Sequence, residues 1–249
     1  MGLFQFEKMK AHPGLIHGVS TAEYGNMSYL YGEQAAVQAN RRQFFEDLGI
    51  PESSVAIVSL VHGHRLIDVT EKDRGRGVSS PDDLLEGDIL ATNKPETYLF
   101  FVVADCLGIF YFDPVNQVCA LAHAGWKGVS KRVPRLTVDH LVKHYRSRPE
   151  DLLVGMSPAI SADSAKFEAV EQAEQPEWKA YLEQKDGFWH VDTTQYAYDQ
   201  LIEVGVKPGN IERPTIDTRT SANFFSHRRS VEEGAPEARF GCLIGIKKT

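Results

Sequence analysis

Tyr98-Leu99-Phe100-Phe101-Val102-Val103-Ala104-Asp105-Cys106-Leu107-Gly108-Ile109-Phe110, followed after a short interval by Cys119-Ala120-Leu121-Ala122-His123-Ala124-Gly125-Trp126-Lys127-Gly128, is the stretch on which the fold turns. Both runs are apolar and continuous rather than alternating, the pattern of strands buried on both faces. Between them, Asp113-Pro114-Val115-Asn116 predicts a turn, because Pro fixes φ while Asp and Asn hydrogen-bond to their own backbone. The two runs are therefore expected to be neighbouring strands. Each carries chemically capable side chains, Asp105 and Cys106 in the first and His123 in the second. Gly125 and Gly128 come next, and glycine lets a ligand or another backbone approach closely. The stretch has the layout of a site as well as of a core.

Upstream, residues 1–9 alternate like an opening strand, and His17-Gly18-Val19-Ser20-Thr21 is a short strand entering a loop at Tyr24-Gly25-Asn26. The spacing of Val37, Phe44, Phe45 and Leu48 predicts an amphipathic helix over residues 33–48, stopped by Gly49 and Pro51. Residues 55–61 form a strand that runs into His62-Gly63-His64, and residues 71–88 are a polar, Gly-rich surface loop. Residues 87–92 then return the chain to the core.

Downstream, residues 129–147 read as a helix with Pro134 near its first turn or kinking it. Residues 152–156 are a buried strand, residues 165–184 a helix broken near Pro176, residues 193–205 a helix ended by Gly205, and residues 240–246 a closing strand. Strands and helices alternate without a low-complexity linker or an internal repeat. Residues 1–249 are accordingly read as a single α/β domain, a mixed buried sheet covered by helices.

A net charge of −7 and a sequence pI near 5.7 argue against a nucleic-acid surface, although a local basic patch could still hold an anion. No apolar run approaches the roughly 18 residues of a membrane span, and no basic-then-apolar leader opens the chain. These features predict a soluble, cytoplasmic protein with a small-molecule partner rather than a membrane or a nucleic acid. The cysteines Cys106, Cys119 and Cys242 are odd in number and never spaced as Cys-x-x-Cys, which supports neither a disulfide scaffold nor a four-cysteine zinc knot. Cys119 and Cys242 lie in apolar strand patterns and read as small buried hydrophobes.

His62, Cys106 and His123 fall at the ends of three different strands, each beside or near a glycine. One thiolate and two imidazoles match a three-ligand zinc site with an open fourth position, and the same donors suit copper far better than magnesium or calcium. His64 would point the same way as His62 in an extended strand and could replace it. The competing chemistry is nucleophilic, with Cys106 as thiolate, His123 as base, and Asp105 or Asp88 orienting the histidine. Ser226 with Arg228-Arg229 offers a phosphate or carboxylate site, since Arg presents a planar donor fork; a solvated basic turn is the plain alternative. Most of the other six histidines read as surface residues, and Trp178 and Trp189 as packing residues.

Val61-His62-Gly63, Ala104-Asp105-Cys106-Leu107, His123-Ala124-Gly125-Trp126-Lys127-Gly128 and Phe224-Phe225-Ser226-His227-Arg228-Arg229 occur in this order. Together they resemble the bacterial multicopper polyphenol oxidase or laccase-domain family, also called peptidoglycan editing factor and related to purine nucleoside phosphorylases of the same fold. The resemblance spans nearly the whole chain, and His-Ala-Gly-Trp-basic-Gly is its most specific part. It implies one α/β domain of the laccase-domain, cysteine-hydrolase-like fold, with zinc held by His62, Cys106 and His123. It further implies a zinc-dependent enzyme that phosphorolyses adenosine, inosine and methylthioadenosine and deaminates adenosine. In that scheme Asp105 or Asp88 handles protons, and Lys127, Ser226 and Arg228 take the phosphate. The rivals are an editing hydrolase that removes serine from a UDP-muramoyl-serine precursor, a copper-dependent polyphenol oxidase, and a non-catalytic metal-binding protein. Several positions depart from the family pattern: Leu60 replaces Gln, Ala22 replaces the Arg of a Ser/Thr-Thr-Arg motif, and Asp217-Thr218 replaces Cys-Thr. Gly155-Met156-Ser157-Pro158-Ala159-Ile160 stands for Gly-Pro-Ala-Ile. The missing Arg is expected to remove an anion contact and weaken phosphorolysis.

Overall fold

A computed structural model describes residues 2–248. The first apolar run is two strands, β7 (Tyr98–Val103) and β8 (Leu107–Asp113), and they belong to different sheets. In the first sheet β7 lies beside β15 (Phe240–Ile246), which pairs with β2 (Leu15–Ser20) and then β1 (Leu3–Phe4), all antiparallel. On its other side β7 runs parallel to β3 (Val55–Ser59), which is parallel to β5 (Leu85–Glu86). In the second sheet β8 and β9 (Val118–Ala124) form the expected antiparallel pair. β9 is followed outward by β6 (Ile89–Thr92) and β4 (Leu66–Asp68), and β8 by β10 (Leu153–Met156) and β14 (Ile211–Glu212).

The β8–β9 turn closes by the anticipated mechanism. Asp113 Oδ1 accepts the N–H groups of Val115 at 2.8 Å and Asn116 at 3.0 Å, and its Oδ2 accepts Asn116 Nδ2 at 2.8 Å.

Alternate side chains along each strand feed different cores, which explains continuous apolar runs. Leu99, Phe101 and Val103 of β7 pack with Phe110 and Phe112 of β8 and with Cys119 and Leu121 of β9, filling the space between the two sheets. On the outer face of the first sheet, Tyr98 and Phe100 meet Phe44 and Phe45 of α2 (Gln34–Asp47). On the outer face of the second, Ala120, Ala122 and Ala124 meet Val129 of α3 (Trp126–Ser130), Val138 and Leu141 of α4 (Val133–Tyr145), and Ala197 and Leu201 of α5 (Thr193–Glu203). The α/β expectation stands, with two stacked mixed sheets where one was anticipated. A strand buried on both faces has the same composition whether a helix or another sheet covers it.

Pairing register matters for chemistry. A slip of one residue in β9 would exchange Cys119, Leu121 and His123 for the alanines of the opposite face, overpacking one core and leaving voids in the other.

Other differences are local. Residue 1 of the expected opening strand lies outside the described residues; the rest of it is β1 and then a short helix, α1 (Glu7–Lys10). The strand read over residues 55–61 stops at Ser59. The segment 129–147 starts earlier as α3, and α4 begins after Arg132, a left-handed residue, with Pro134 in its first turn.

The helix expected over 165–184 does not form. Instead β11 (Lys166–Phe167), two 3₁₀ turns, and β12 (Leu182–Lys185) lead into β13 (Phe188–Val191), a three-stranded antiparallel sheet. Asp186-Gly187 closes the β12–β13 hairpin with φ of 52° and 82°, the left-handed values of a tight two-residue turn. A last helix, α6 (His227–Glu233), precedes β15. No described helix is long and apolar enough to cross a membrane.

Candidate metal centre and cavity

One end of the two-sheet sandwich collects the reactive side chains. His62 hangs three residues beyond β3, Cys106 lies in the crossing from β7 to β8, and His123 is the penultimate residue of β9. One ligand atom from each lies within 4.8 Å of the other two, so this group could hold a metal ion. Burial grades from the exposed His62 through Cys106 to the fully enclosed His123, and the two imidazole rings sit edge to face with centroids 4.8 Å apart.

The backbone here is unusual in two places. His62 and Asp105 adopt left-handed φ values of 54° and 72°, a conformation costing a non-glycine residue roughly 1–2 kcal/mol. β3 has already ended at Ser59, and the left-handed turn at His62 removes the extended geometry that would align His64 with it. His64 consequently does not join the ligand group.

The Asp88 carboxylate, wholly buried, organises the group from behind. Its Oδ1 lies 3.1 Å from His123 Nδ1 and its Oδ2 accepts the Gly63 N–H at 2.8 Å. With Nδ1 held in this way, His123 offers Nε2 to the ligand group, the carboxylate–histidine arrangement common at metal sites. Burial pushes the Asp88 carboxyl up, but the bonds from His123 and Gly63 outweigh it and hold the group below its ordinary value. Burial likewise pulls His123 down, and its bonds to Asp88 and Cys106 overcome this, leaving it raised to about 9. His62 is lowered by burial and by the neighbouring His123. Gly125 is required by space, since a Cβ there would sit 2.7 Å from Cys106 Sγ.

A cavity of about 630 Å³ opens on these residues. His62, Cys106 and His123 line it together with Trp126, Lys127, Arg228, Ile160, Phe167, Val170 and Thr193. The Arg228 guanidinium lies over the Phe167 ring at 4.5 Å from its centroid.

Asp105, Asp88, Ser226 and Arg229, which the sequence marks for chemistry, each have partners within the fold, and Asp88 stands behind His123 as the orienting role has it. Asp105 touches the cavity, but its Oδ1 accepts Thr218 Oγ1 and its Oδ2 accepts the Arg228 N–H, both at 2.7 Å, so the carboxylate ties the Cys106 crossing to α6. Asp88 is not on the cavity wall and reaches the site through His123. Ser226 is buried off the wall, its hydroxyl capping α6 by accepting the Arg229 N–H at 3.1 Å. Arg229 is directed to the carbonyls of Ser221 and Phe224 rather than to the cavity. Ala22 is also off the wall, and Asp217 binds the hydroxyls of Ser161 and Ser164. Of the remaining six histidines, His17 and His190 are buried, each bonded to a backbone group inside the fold.

Sequence reasoning missed Trp126, Phe167, Ile160, Val170 and Thr193. The signal that could have found Phe167 is Asp186-Gly187, a strong hairpin dipeptide just past the segment read as helix.

The fold and this site define an α/β protein of the laccase-domain class. Residues 15–247 match the family described as multi-copper polyphenol oxidoreductase laccase, and the chain belongs to that family. Among its relatives is the purine nucleoside phosphorylase YlmD of Bacillus subtilis, 26% identical over 241 residues that span 93% of this chain and 86% of that protein. The YlmD of Geobacillus stearothermophilus is 29% identical over 243 residues, covering 87% of this chain and 85% of the relative. A crystal structure of the Geobacillus stearothermophilus protein superposes with a TM-score of 0.86 at 26% identity, over 94% of this chain and 93% of that one. The fold is also that of a Bacillus licheniformis hypothetical protein, YfiH, with a TM-score of 0.87 at 23% identity over 98% of this chain and 96% of that one.

Proposed function

We propose that this chain is a zinc-dependent purine nucleoside phosphorylase that cleaves adenosine, inosine and methylthioadenosine with phosphate and also deaminates adenosine. The observation that carries the reading is the convergence of His62, Cys106 and His123 in the lining of a cavity that also presents Lys127 and Arg228. A volume near 630 Å³ lies in the range of small-molecule sites. The names of the relatives supply the substrate class.

The donor set fits zinc: one thiolate and two imidazoles, with His123 oriented by Asp88 and Cys106 accommodated by Gly125. Zinc held by these three side chains would supply a Lewis acid able to polarise substrate or to lower the pKa of water. In phosphorolysis a phosphate oxygen bonds to the sugar carbon as the bond from that carbon to the purine breaks, and the base leaves with a proton. Lys127 and Arg228 would offset the charge of the phosphate, Arg228 aligned by its stack on Phe167. Trp126 and Phe167 give the cavity aromatic faces for a purine. Asp105 and Asp88 act as positioning residues, the first for Arg228 and Cys106 and the second for His123.

A UDP-linked muramoyl precursor is much bulkier than a nucleoside with phosphate, which makes the editing hydrolase the less favoured activity. The test is to incubate zinc-loaded protein with adenosine or inosine, with and without phosphate, and to resolve products by chromatography. Phosphate-dependent release of adenine or hypoxanthine with sugar 1-phosphate is expected, and inosine from adenosine marks deamination. Absence of both, with serine released from UDP-muramoyl-serine, would transfer the assignment to the editing reaction; no turnover of either substrate would favour a non-catalytic metal protein.

A further inference from the structure

A second group of ligand-bearing side chains stands away from the cavity, on α4. His140 and His144 are four residues apart, so the helix carries both imidazoles on one face. Their rings stack with centroids 4.3 Å apart and planes 24° apart. Asp68, the last residue of β4, faces them. Its Oδ1 lies 2.7 Å from His140 Nε2 and accepts the Tyr145 hydroxyl at 2.7 Å. One ligand atom from each of Asp68, His140 and His144 lies within 4.8 Å of the other two. We propose that these three residues form a second metal site, for a divalent first-row transition ion such as zinc, which ties β4 to α4.

The donors select the ion. Paired histidines at this spacing on one helix face are an established zinc-binding geometry, and a carboxylate completes a three-ligand set that leaves one position for solvent. Two imidazoles disfavour calcium and magnesium, which take oxygen ligands. Tyr145 orients the carboxylate through Oδ1, while Asp68 Oδ2 has no hydrogen-bond partner among the described residues. The Asp68 side chain is 46% exposed, so an ion enters directly from solvent.

The position in the fold gives such a site something to do. β4 is three residues long and forms the edge of its sheet, paired only with β6. The segment leading into it carries His62. A metal bridging Asp68 to α4 would fasten this weak edge. The two groups are separate: Asp68 is opposite Ala91, whereas Asp88 and its partner His123 mark the start of β6, about 10 Å away along the strand.

The test is zinc stoichiometry by equilibrium dialysis against micromolar zinc, with wild type, His144→Ala, Cys106→Ala and the double variant. His144→Ala is expected to bind one zinc per chain fewer than wild type, Cys106→Ala to keep the ion that His144→Ala loses, and the double variant to bind none. Cobalt bound to Cys106→Ala should show ligand-field bands without a thiolate charge-transfer band, and Asp68→Asn should weaken that binding at least tenfold. Equal stoichiometry in wild type and His144→Ala, or no ion on folded Cys106→Ala, overturns the proposal. Should Cys106→Ala fail to fold, the comparison of wild type with His144→Ala decides alone, because His144 is exposed and its truncation disturbs no core.

Discussion

Acidification should destabilise this protein through His17 before the carboxylates titrate. His17 is buried between the sheets, stacked on Phe6 with ring centroids 5.8 Å apart, and its Nε2 accepts the Phe6 N–H at 2.9 Å. The proton of the neutral ring must then sit on Nδ1, which has no partner. A second proton could be added only at the nitrogen already engaged. Burial accordingly pulls the imidazole down from 6.5 to about 4. Between those two values the unfolded chain binds more protons than the folded one, so stability is complete above about pH 6.5 and falls as pH drops. At 1.36 kcal/mol per pH unit the full loss is about 3 kcal/mol, of which about 2 kcal/mol is gone by pH 5. Urea unfolding of wild type and His17→Gln at pH 7.5, 6 and 5 isolates the effect, because glutamine can accept the Phe6 N–H but does not titrate. The variant should lose about 2 kcal/mol less than wild type between pH 7.5 and 5. If the two proteins lose the same stability over that range, His17 is not the acid-labile group and the reasoning fails.

Asp88→Asn should weaken zinc binding about 10- to 100-fold in a chelator competition, and unchanged affinity would remove its positioning role. Cys106 in the zinc-loaded protein should react slowly with iodoacetamide and quickly after chelation, as a thiolate released from a cation does; fast alkylation with zinc in place, or a substrate adduct on Cys106, would favour the nucleophile instead. Gly125→Ala places a methyl group 2.7 Å from Cys106 Sγ and should lower the zinc content of purified protein while the thermal midpoint moves by only a few degrees, checked by elemental analysis and calorimetry. Arg228→Gln should raise the KM for phosphate roughly 10- to 100-fold, the value of a charge-assisted hydrogen bond, and an unaltered phosphate KM in initial-rate assays would take Arg228 out of the phosphate site.

Local signals carried much of the fold into the sequence. The β8–β9 pair was legible because its turn has a side-chain mechanism at Asp113, and α2 because Val37, Phe44 and Phe45 share a face. The second sheet was not legible, since Asp105 and Cys106 interrupt the apolar run by only two polar residues and nothing local says that the chain leaves one sheet for another there. The segment 165–184 misled because its residues also fit a helical period, while Asp186-Gly187, lying just past it, holds the hairpin that brings Phe167 to the cavity. Cys106 and His123 were marked by their place at the ends of apolar runs. The roles of Asp105 and Ser226 were not, because a carboxylate or hydroxyl engaged by distant N–H groups looks, in sequence, like one free to meet a substrate.

The two sheets meet their chemistry through Asp88. His62 follows a strand of the first sheet and His123 belongs to the second, so the distance between these side chains depends on how the sheets stack. Asp88 bridges that join: its main-chain carbonyl accepts the His123 N–H at 2.7 Å, one carboxylate oxygen meets the His123 ring, and the other holds Gly63, the residue after His62. A single buried carboxylate thus fixes one imidazole directly and the loop of the other through its backbone. Burying it without partners would be costly, and these same bonds offset that cost. Sequence distances of 25 and 35 residues hide the arrangement, which arises only when β6 pairs with β9 and the loop after β3 folds back over the end of the sandwich.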